Sequence, residues 1–248
     1  MNIVKFSIIG LITFILIITN LVLGFGLLAI LNIPRAFFPS NSLKIYLAKL
    51  SNKIGDITVY GCKKIMYIMH QDSITVFDDK NFEKNSWYMA MSNHQSWADI
   101  FILLAVANNR LPLLKFFMKK ELIWIPFVFL ANKTLNMPFV NRHSKKDLDK
   151  NPNLRFEDYE NTLKACKRFQ RAPSTIFSYA EGTRNTEEKH LEQKSPYNNL
   201  LKPRIGGMAT ALSAMPNIET LVDYSLTVSY THLRAHETRE DLVCRLLG

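Results

Sequence analysis

Residues 87–107 read WYMAMSNHQSWADIFILLAVA, which is the pattern of a strand, a loop and a helix in succession. The run from Trp87 to Met91 is short and apolar, as in a buried strand, and the run from Asp99 to Ala107 has the character of a helix. Strand-like and helix-like runs alternate along the rest of the chain. The predicted strands are Ile57–Tyr60, Ile74–Phe77, Leu113–Phe117, Thr175–Tyr179 and Leu221–Val228, and the predicted helices are Ser42–Ser51, Glu157–Arg171 and Gly207–Met215. This alternation predicts an α/β fold with a mixed, largely parallel central sheet flanked by helices.

An uncharged segment precedes this domain. No charged residue lies between Lys5 and Arg35, and the 26 residues from Phe6 to Leu31 are almost all apolar. As a helix they would extend over about 39 Å, whereas about 20 apolar residues are enough to cross the core of a bilayer. No small-residue cleavage site follows, so we expect an N-terminal membrane helix within residues 1–35 rather than a cleaved signal peptide.

The basic residues that flank this segment predict its orientation. Arg35, Lys44, Lys49 and Lys53 follow it, whereas only Lys5 and the amino terminus precede it. Because basic flanks stay in the cytoplasm, we expect the following domain on the cytoplasmic side. A re-entrant hairpin, which would keep both ends of the segment on one side, stays open as an alternative.

The charge balance indicates an anionic partner. The 248 residues carry 31 Lys and Arg against 21 Asp and Glu, a net charge of +10, which suits nucleic acid, phosphorylated metabolites or lipid headgroups. Nine basic residues stand against three acidic ones between Leu113 and Arg155, so this stretch should attract anionic membrane lipids. The aromatic run Leu122–Leu130 beside it either enters the membrane interface or packs in the core. The three cysteines are widely spaced and indicate neither a disulfide framework nor a zinc site.

The loop after the strand at residue 87 carries a histidine and an aspartate five residues apart. Loops that follow strands in α/β sheets collect ligand-binding groups. If a helix begins near Ser96, the Asp99 carboxylate reaches back to His94, fixes its tautomer and leaves the other ring nitrogen free to take a proton. The pair corresponds to the general base and the orienting carboxylate of a serine hydrolase, but the nucleophilic serine is missing. A hydroxyl of the substrate would take the place of that serine. The alternative is an ordinary first-turn aspartate beside a loop histidine.

Two other segments supply arginines suited to a phosphate. Residues 180–184 read AEGTR and follow a predicted strand; there Gly182 permits a close approach of the backbone, and Glu181 is placed to orient Arg184 or a substrate hydroxyl. A second, extended segment ends at Arg142. The alternatives are an exposed, salt-bridged turn and a solvated surface arginine.

Taken in order, these segments resemble the lysophospholipid acyltransferase superfamily, the glycerolipid acyltransferases that include lysophosphatidic acid acyltransferase. The signature of that superfamily has four blocks in a fixed order. The first block matches Asn93-His94 with Asp99, the second Phe139–Arg142, and the third Glu181-Gly182-Thr183-Arg184. The residues around His94 are similar to those of a bacterial inner-membrane branch of the superfamily. The resemblance runs from about Trp87 to Asp223.

The resemblance implies an acyl transfer that needs no cofactor, no metal and no covalent enzyme intermediate. His94 would be the general base that removes the proton from the acceptor's hydroxyl, and Asp99 would orient it. The phosphate of a lysophospholipid acceptor would be bound by Arg184 and Arg142. The other implied substrate contacts are Glu181, Gly182 and Thr183 in the third block and Lys119 near the phosphate. The acyl donor, a co-substrate, would be acyl-coenzyme A or acyl carrier protein.

The sequence departs from this pattern at its carboxyl end. The fourth block should be an apolar strand that ends in proline; Leu221–Val228 begins such a strand, but no proline follows. Residues 229–248 resemble a peptide that recurs at the ends of many unrelated predicted proteins and is read from artefactual DNA at contig edges. We therefore expect a membrane anchor at 1–35, an incomplete acyltransferase domain at 36–228 and an artefactual tail at 229–248. His232, His236 and Cys244 would then have no function.

The expected function is transfer of a fatty acyl group from a thioester to a lysophospholipid such as 1-acylglycerol 3-phosphate, in phospholipid biosynthesis or remodelling at the inner membrane. The alternative is a catalytically decayed, membrane-anchored protein that binds anionic lipid. A nucleic-acid partner is not expected, because no recognised nucleic-acid-binding motif accompanies the charge.

Overall fold

A computed structural model of the chain describes residues 2–38, 40–70, 74–76, 82–96, 98–119, 123–137, 139–140, 151, 153–204, 206–230 and 240–247. The strands are β1 (Ile74–Val76), β2 (Trp87–Ser92), β3 (Leu114–Phe116), β4 (Met118–Lys119), β5 (Phe139–Val140), β6 (Thr175–Tyr179), β7 (Ile218–Tyr230) and β8 (Glu240–Leu247). The helices are α1 (Asn2–Ile30), α2 (Asn32–Phe37), α3 (Asn41–His70), α4 (Asp99–Ala107), α5 (Pro126–Thr134), α6 (Asn153–Phe169), α7 (Glu187–Gln193) and α8 (Gly206–Ala214).

Six of the strands form one sheet in the order β1-β8-β7-β2-β6-β3. The strand β2 pairs in parallel with both β6 and β7, and β3 pairs in parallel with β6. The pairing of β7 with β8 is antiparallel, and β4 and β5 form a separate parallel pair. The sheet is therefore mixed and largely parallel, with helices around it, which confirms the predicted fold class.

The core lies on both faces of the central strands. Met89 and Ala90 of β2 point to opposite faces and are both fully buried, which explains why β2 reads as a continuous apolar run. On one face, α4 packs Leu103 against the sheet beside Phe177. On the other face, α6 packs Phe169 against Met89 together with residues of α8. The catalytic candidates lie at one end of these strands.

The N-terminal helix packs along α3 in the opposite direction. The Asn20 amide of α1 donates hydrogen bonds to the Thr58 carbonyl at 2.8 Å and to Cys62 Sγ at 3.2 Å. Gly24 lies directly against the Thr58 side chain, and Gly61 against Asn20. Small residues of this kind let two helices approach closely.

This N-terminal segment meets the length and composition of a membrane span over Ile8–Pro34. Its apolar side chains are largely exposed, among them Leu11, Phe14 and Leu23 at 60%, 62% and 65%. Such a surface is stable only against lipid or another apolar partner. The prediction of an N-terminal apolar helix is thus confirmed, whereas the domain boundary at residue 35 stays a prediction.

The predicted strand Ile57–Tyr60 is wrong, because these residues lie inside α3. Their β-branched side chains suggested a strand. Thr58 instead donates its hydroxyl to the Ile54 carbonyl within the helix and packs on Gly24 of the first helix. Contacts distant in sequence therefore override the local preference, and the helix predicted for Ser42–Ser51 is only the first part of α3.

Two other segments bear on the sequence predictions. The aromatic run Leu122–Leu130 divides at Pro126, where α5 begins, and Trp124 before it is 87% exposed. The residues predicted as an artefactual tail include β8, which pairs with β1 and β7; the prediction about their origin stays a prediction.

Candidate active site

Two loops meet at the carboxyl end of the central strands. In the register of β2 and β6, Ser92 lies opposite Tyr179, so the loops that follow these residues leave the sheet side by side. The Ala180 amide donates to the Ser92 carbonyl at 3.2 Å, and the Asn185 amide donates to the His94 carbonyl at 2.7 Å. The topology thus brings together two of the three segments that the sequence singled out.

The neighbouring strand β7 supports the first loop from the other side. The Asn93 side chain donates to the Leu226 carbonyl at 2.8 Å and accepts from the Leu226 amide at 2.8 Å. This is the hydrogen-bond pattern of two paired strands, made here by a side-chain amide. It holds the residue before His94 at a fixed distance from β7.

The His94 and Asp99 side chains form a close pair. His94 Nδ1 lies 2.9 Å from Asp99 Oδ2, and the same oxygen accepts from the backbone amides of Gln95 and Ser96 at 2.7 and 2.8 Å. Because an ionised carboxylate only accepts hydrogen bonds, Nδ1 carries the proton and Nε2 presents its lone pair. Asp99 is at the first residue of α4, which places its carboxylate beside the loop that it holds.

Glu181 links the two loops through backbone hydrogen bonds. Its Oε1 accepts from the His94 amide at 2.9 Å and its Oε2 accepts from the Leu201 amide at 2.8 Å. The residue is only 3% exposed. The expectation that Glu181 holds the acceptor stays a prediction, while its observed contacts support the backbone at His94.

An aromatic ring lies against the histidine. The rings of His94 and Tyr179 are stacked, with centroids 3.8 Å apart and planes 10° from parallel. Burial, together with the nearby Asp99 charge, raises the pKa of the Tyr179 phenol well above its usual value. The phenol is therefore neutral at physiological pH.

A basic rim surrounds the loop after β6. Gly182 adopts a left-handed backbone conformation, with φ +70°, and packs against the Arg204 side chain. Lys189 of α7 donates to the Thr183 hydroxyl at 2.8 Å. Together with Arg184, these cations line the same cavity as His94.

The cavity is large and mostly apolar away from this rim. Its volume is about 1850 Å³, and it extends from His94 between the sheet, α4 and the pair α1 and α3. Residues of all three helices line it, for example Leu21 and Phe25 of α1, Val59 of α3 and Leu104 of α4. Polar groups beside His94 and apolar side chains along most of the remaining wall, which also includes Lys63 and Arg110, suit an amphipathic ligand.

Some predicted residues fall outside this geometry, and some contributors were missed. Arg142 lies outside the described residues, and Lys119 belongs to β4, where only its backbone is described. Lys189 and Arg204 were not predicted: Lys189 follows residues 180–184 closely in the sequence, whereas Arg204 contacts Gly182 only through the fold. Tyr179 was not predicted either, although the period of two in β6 places Tyr179 on the same face as Phe177, towards α4.

Comparison with known proteins gives two matches and one absence. The sequence model of the family described as Acyltransferase matches residues 73–216, more than half of the chain. Among solved structures, the chain is similar to PlsC from Thermotoga maritima, described as a 1-acyl-sn-glycerophosphate (LPA) acyltransferase. The TM-score is 0.53 at 15% sequence identity, and the match covers 100% of this chain and 86% of that one. No curated protein matches the chain significantly.

Proposed function

Since this chain belongs to the acyltransferase family, we propose that it transfers a fatty acyl group from a thioester donor to the free hydroxyl of a lysophospholipid. A 1-acylglycerol 3-phosphate is the proposed acceptor, and acyl-coenzyme A or acyl carrier protein the proposed donor. The observation that carries this proposal is the His94–Asp99 pair, 2.9 Å apart, which opens on a cavity with a basic rim and an apolar interior.

The pair supplies general base catalysis. His94 Nε2 takes the proton of the acceptor hydroxyl as its oxygen attacks the thioester carbonyl. Asp99 stabilises the imidazolium that forms, because its carboxylate accepts the Nδ1 hydrogen bond. When the tetrahedral intermediate collapses, the carbon–sulfur bond breaks and the leaving thiolate takes the proton from Nε2. The products are a phospholipid ester and a free thiol, and His94 is again neutral.

The basic rim provides for the phosphate of the acceptor. Arg184 is the proposed main ligand, because a guanidinium matches phosphate oxygens in a two-point contact. Lys189 and Arg204 add positive charge at the same cavity. Arg142 and Lys119 stay proposed contacts on the strength of the family resemblance. Gly182 and Thr183 shape the loop that carries Arg184, and Glu181 holds this loop to the one that carries His94.

The apolar part of the cavity provides for the acyl chain. One wall is formed by Leu21, Phe25 and Leu28 of the N-terminal helix, which we propose is embedded in the inner membrane, with the α/β domain on the cytoplasmic side. Burial of each methylene group contributes about 0.8 kcal/mol, so a long chain binds there in preference to water. Anionic lipids would be attracted by the net charge of +10.

The test is an acyltransferase assay of the full chain with palmitoyl-coenzyme A and 1-oleoylglycerol 3-phosphate. His94→Ala should lower kcat by about 10²–10⁴-fold, because the proton acceptor is lost. The matched control is His190→Ala, since His190 lies in α7 and is hydrogen-bonded to the Tyr197 carbonyl instead. Equal activity of His94→Ala and the parent protein would overturn the proposal, and no activity in either would favour a lipid-binding protein.

A further inference from the structure

The imidazole of His94 is tethered at one atom by Asp99, and this tether leaves one rotation open. The ring turns about its bond from Cβ to Cγ, and a single hydrogen bond between Nδ1 and Oδ2, 2.9 Å long, restrains this turn only weakly, because such a bond tolerates a range of angles. Such a turn would swing Nε2 away from the acceptor. Reacting atoms need an aligned approach at about 3–3.5 Å, and a misplacement of 1 Å costs about 10²-fold in rate.

Tyr179 removes this freedom by contact with the face of the ring. Its ring lies parallel to the imidazole within 10° at a centroid distance of 3.8 Å, which is van der Waals contact over the whole face. Any tilt of the imidazole about its Cβ–Cγ bond would drive one edge of the ring into Tyr179. The face contact and the hydrogen bond together therefore define one orientation of Nε2.

Tyr179 is itself held by the core. Phe177, which is 1% exposed, packs edge-on against Tyr179 at 4.9 Å and 83°. Phe116 of the edge strand β3 packs on Phe177 at 5.1 Å and 56°. A series of rings thus runs from the buried sheet to His94, and well-packed interiors of this kind resist displacement.

The hydroxyl of Tyr179 contributes nothing to this arrangement. It is buried and has no hydrogen-bond partner among the described residues. A buried donor without a partner lowers the stability of the folded state. What the site uses at this position is the flat face of the side chain rather than its polar end.

We propose that Tyr179 is a positioning residue for the transfer reaction: its ring face orients His94 so that Nε2 points at the acceptor hydroxyl. The proposal rests on the proposed role of His94 as general base. It assigns the effect to the aromatic ring, so phenylalanine should replace tyrosine without loss and a non-aromatic side chain of similar volume should not.

The experiment compares Tyr179→Phe, Tyr179→Leu and Tyr179→Met in the full chain, with palmitoyl-coenzyme A and 1-oleoylglycerol 3-phosphate. We expect Tyr179→Phe to keep kcat within about twofold and to raise Tm slightly. Tyr179→Leu and Tyr179→Met should lower kcat by about 10–100-fold while both KM values change less than about threefold. A purely structural role would lower the amount of folded enzyme instead, so activity is expressed per folded molecule.

The matched control is Tyr88→Leu. Tyr88 is a buried ring of β2 in the same core cluster, packed edge-on against Phe82 and absent from the cavity lining. It should lose stability as Tyr179→Leu does but keep its kcat. Tyr179→Met places a flexible apolar side chain at this position. It provides the same test if the leucine variant does not fold.

Two results would overturn the inference. Full kcat in both Tyr179→Leu and Tyr179→Met would show that the ring face is dispensable, and a loss in Tyr179→Phe as large as in Tyr179→Leu would assign the effect to the hydroxyl. Failure of the proposed function is distinguishable, because His94→Ala would then keep its activity whatever the Tyr179 variants do.

Discussion

The buried carboxylates of this protein differ in the number of hydrogen bonds that they accept. Asp99 accepts three hydrogen bonds on one oxygen, two of them from backbone amides, and Glu181 accepts one backbone amide on each oxygen. Asp56 of α3 is partly buried, and no hydrogen bond reaches its carboxylate from the part of the chain that the structure describes. Its burial raises the pKa of the carboxyl from 3.8 to about 6, although the charges of Lys84 and Lys115 act in the opposite direction.

The raised pKa of Asp56 predicts a pH-dependent stability. The folded protein binds the Asp56 proton more tightly than the unfolded chain, so this group favours the folded state most at low pH and loses that contribution as the pH rises through about 6. Relative to Asp56→Asn, the parent protein should therefore gain about 1 kcal/mol of unfolding free energy between pH 7.5 and pH 5. Thermal unfolding of both proteins at the two pH values measures this difference. The control is Glu219→Gln, which removes the charge of an exposed carboxylate instead. A gain towards high pH would contradict the assignment.

At the scale of single residues, the sequence pointed to the site more than to its packing. The spacing of His94 and Asp99 predicted their contact, because the carboxylate falls at the start of a helix. The stacking of Tyr179 depends on the register between β2 and β6, which no local pattern contains. The contact of Glu181 with Leu201 depends in the same way on a loop 20 residues further along the chain.

Among the elements, the contact of α1 with α3 depends on a glycine at position 24. A Cβ atom at Gly24 would overlap the Thr58 side chain, whereas at Gly26, two residues further along the same helix, nothing lies within 4 Å. The close approach at Gly24 also allows Asn20 to reach the Thr58 carbonyl. Position 24 is therefore the point at which the two helices are least able to tolerate a side chain.

Alanine substitutions at these two glycines provide a direct comparison. Gly24→Ala should lower the unfolding free energy by about 1–3 kcal/mol, because a methyl group overpacks the helix contact. Gly26→Ala adds the same methyl group in open space and should leave stability unchanged or improve it by about 1 kcal/mol, since alanine favours a helix. Thermal unfolding in one detergent compares the two. Equal losses would show that the helices do not pack as described.

Periodicity predicted the elements of the α/β domain better than those of the N-terminal region. The helices Asp99–Ala107 and Gly207–Met215 were predicted within one residue of the observed ends, whereas the helix predicted for Glu157–Arg171 begins at Asn153 and ends at Phe169. The long helix α3 was not predicted in full, since its residues 57–60 owe their conformation to contact with α1.

For the molecule as a whole, the arrangement of α1 bears on how the protein would enter a bilayer under the proposed function. It lies along α3, and α3 is joined to the α/β domain by hydrogen bonds from Asn52 to the Pro173 carbonyl and from Asn108 to the Asp56 carbonyl. The α5 helix is attached to the other end of α1, where Thr134 donates to the Leu28 carbonyl. A helix whose carboxyl-terminal half is fixed to the domain in this way is suited to enter a membrane from one side.

This arrangement predicts that both ends of the N-terminal helix lie on the same side of the membrane. A peptide tag before Met1 should be digested by trypsin in inverted inner-membrane vesicles, together with the exposed turn near Lys194, and both should be protected in intact spheroplasts. Digestion of the tag from the opposite side to the turn would establish a spanning helix and contradict the prediction.

The N-terminal helix has exposed apolar side chains on one side and forms a wall of the cavity on the other. Replacement of the helix therefore affects both surfaces. Leu21, Phe25 and Leu28 face the interior of the cavity while their neighbours face outward. Under the proposed function, exchange of this segment with that of a relative would alter the range of acyl chains accepted as well as the contact with the membrane. Under the proposed function, this helix is therefore not an interchangeable module, and selection for a different bilayer would also act on which acyl chains the protein accepts.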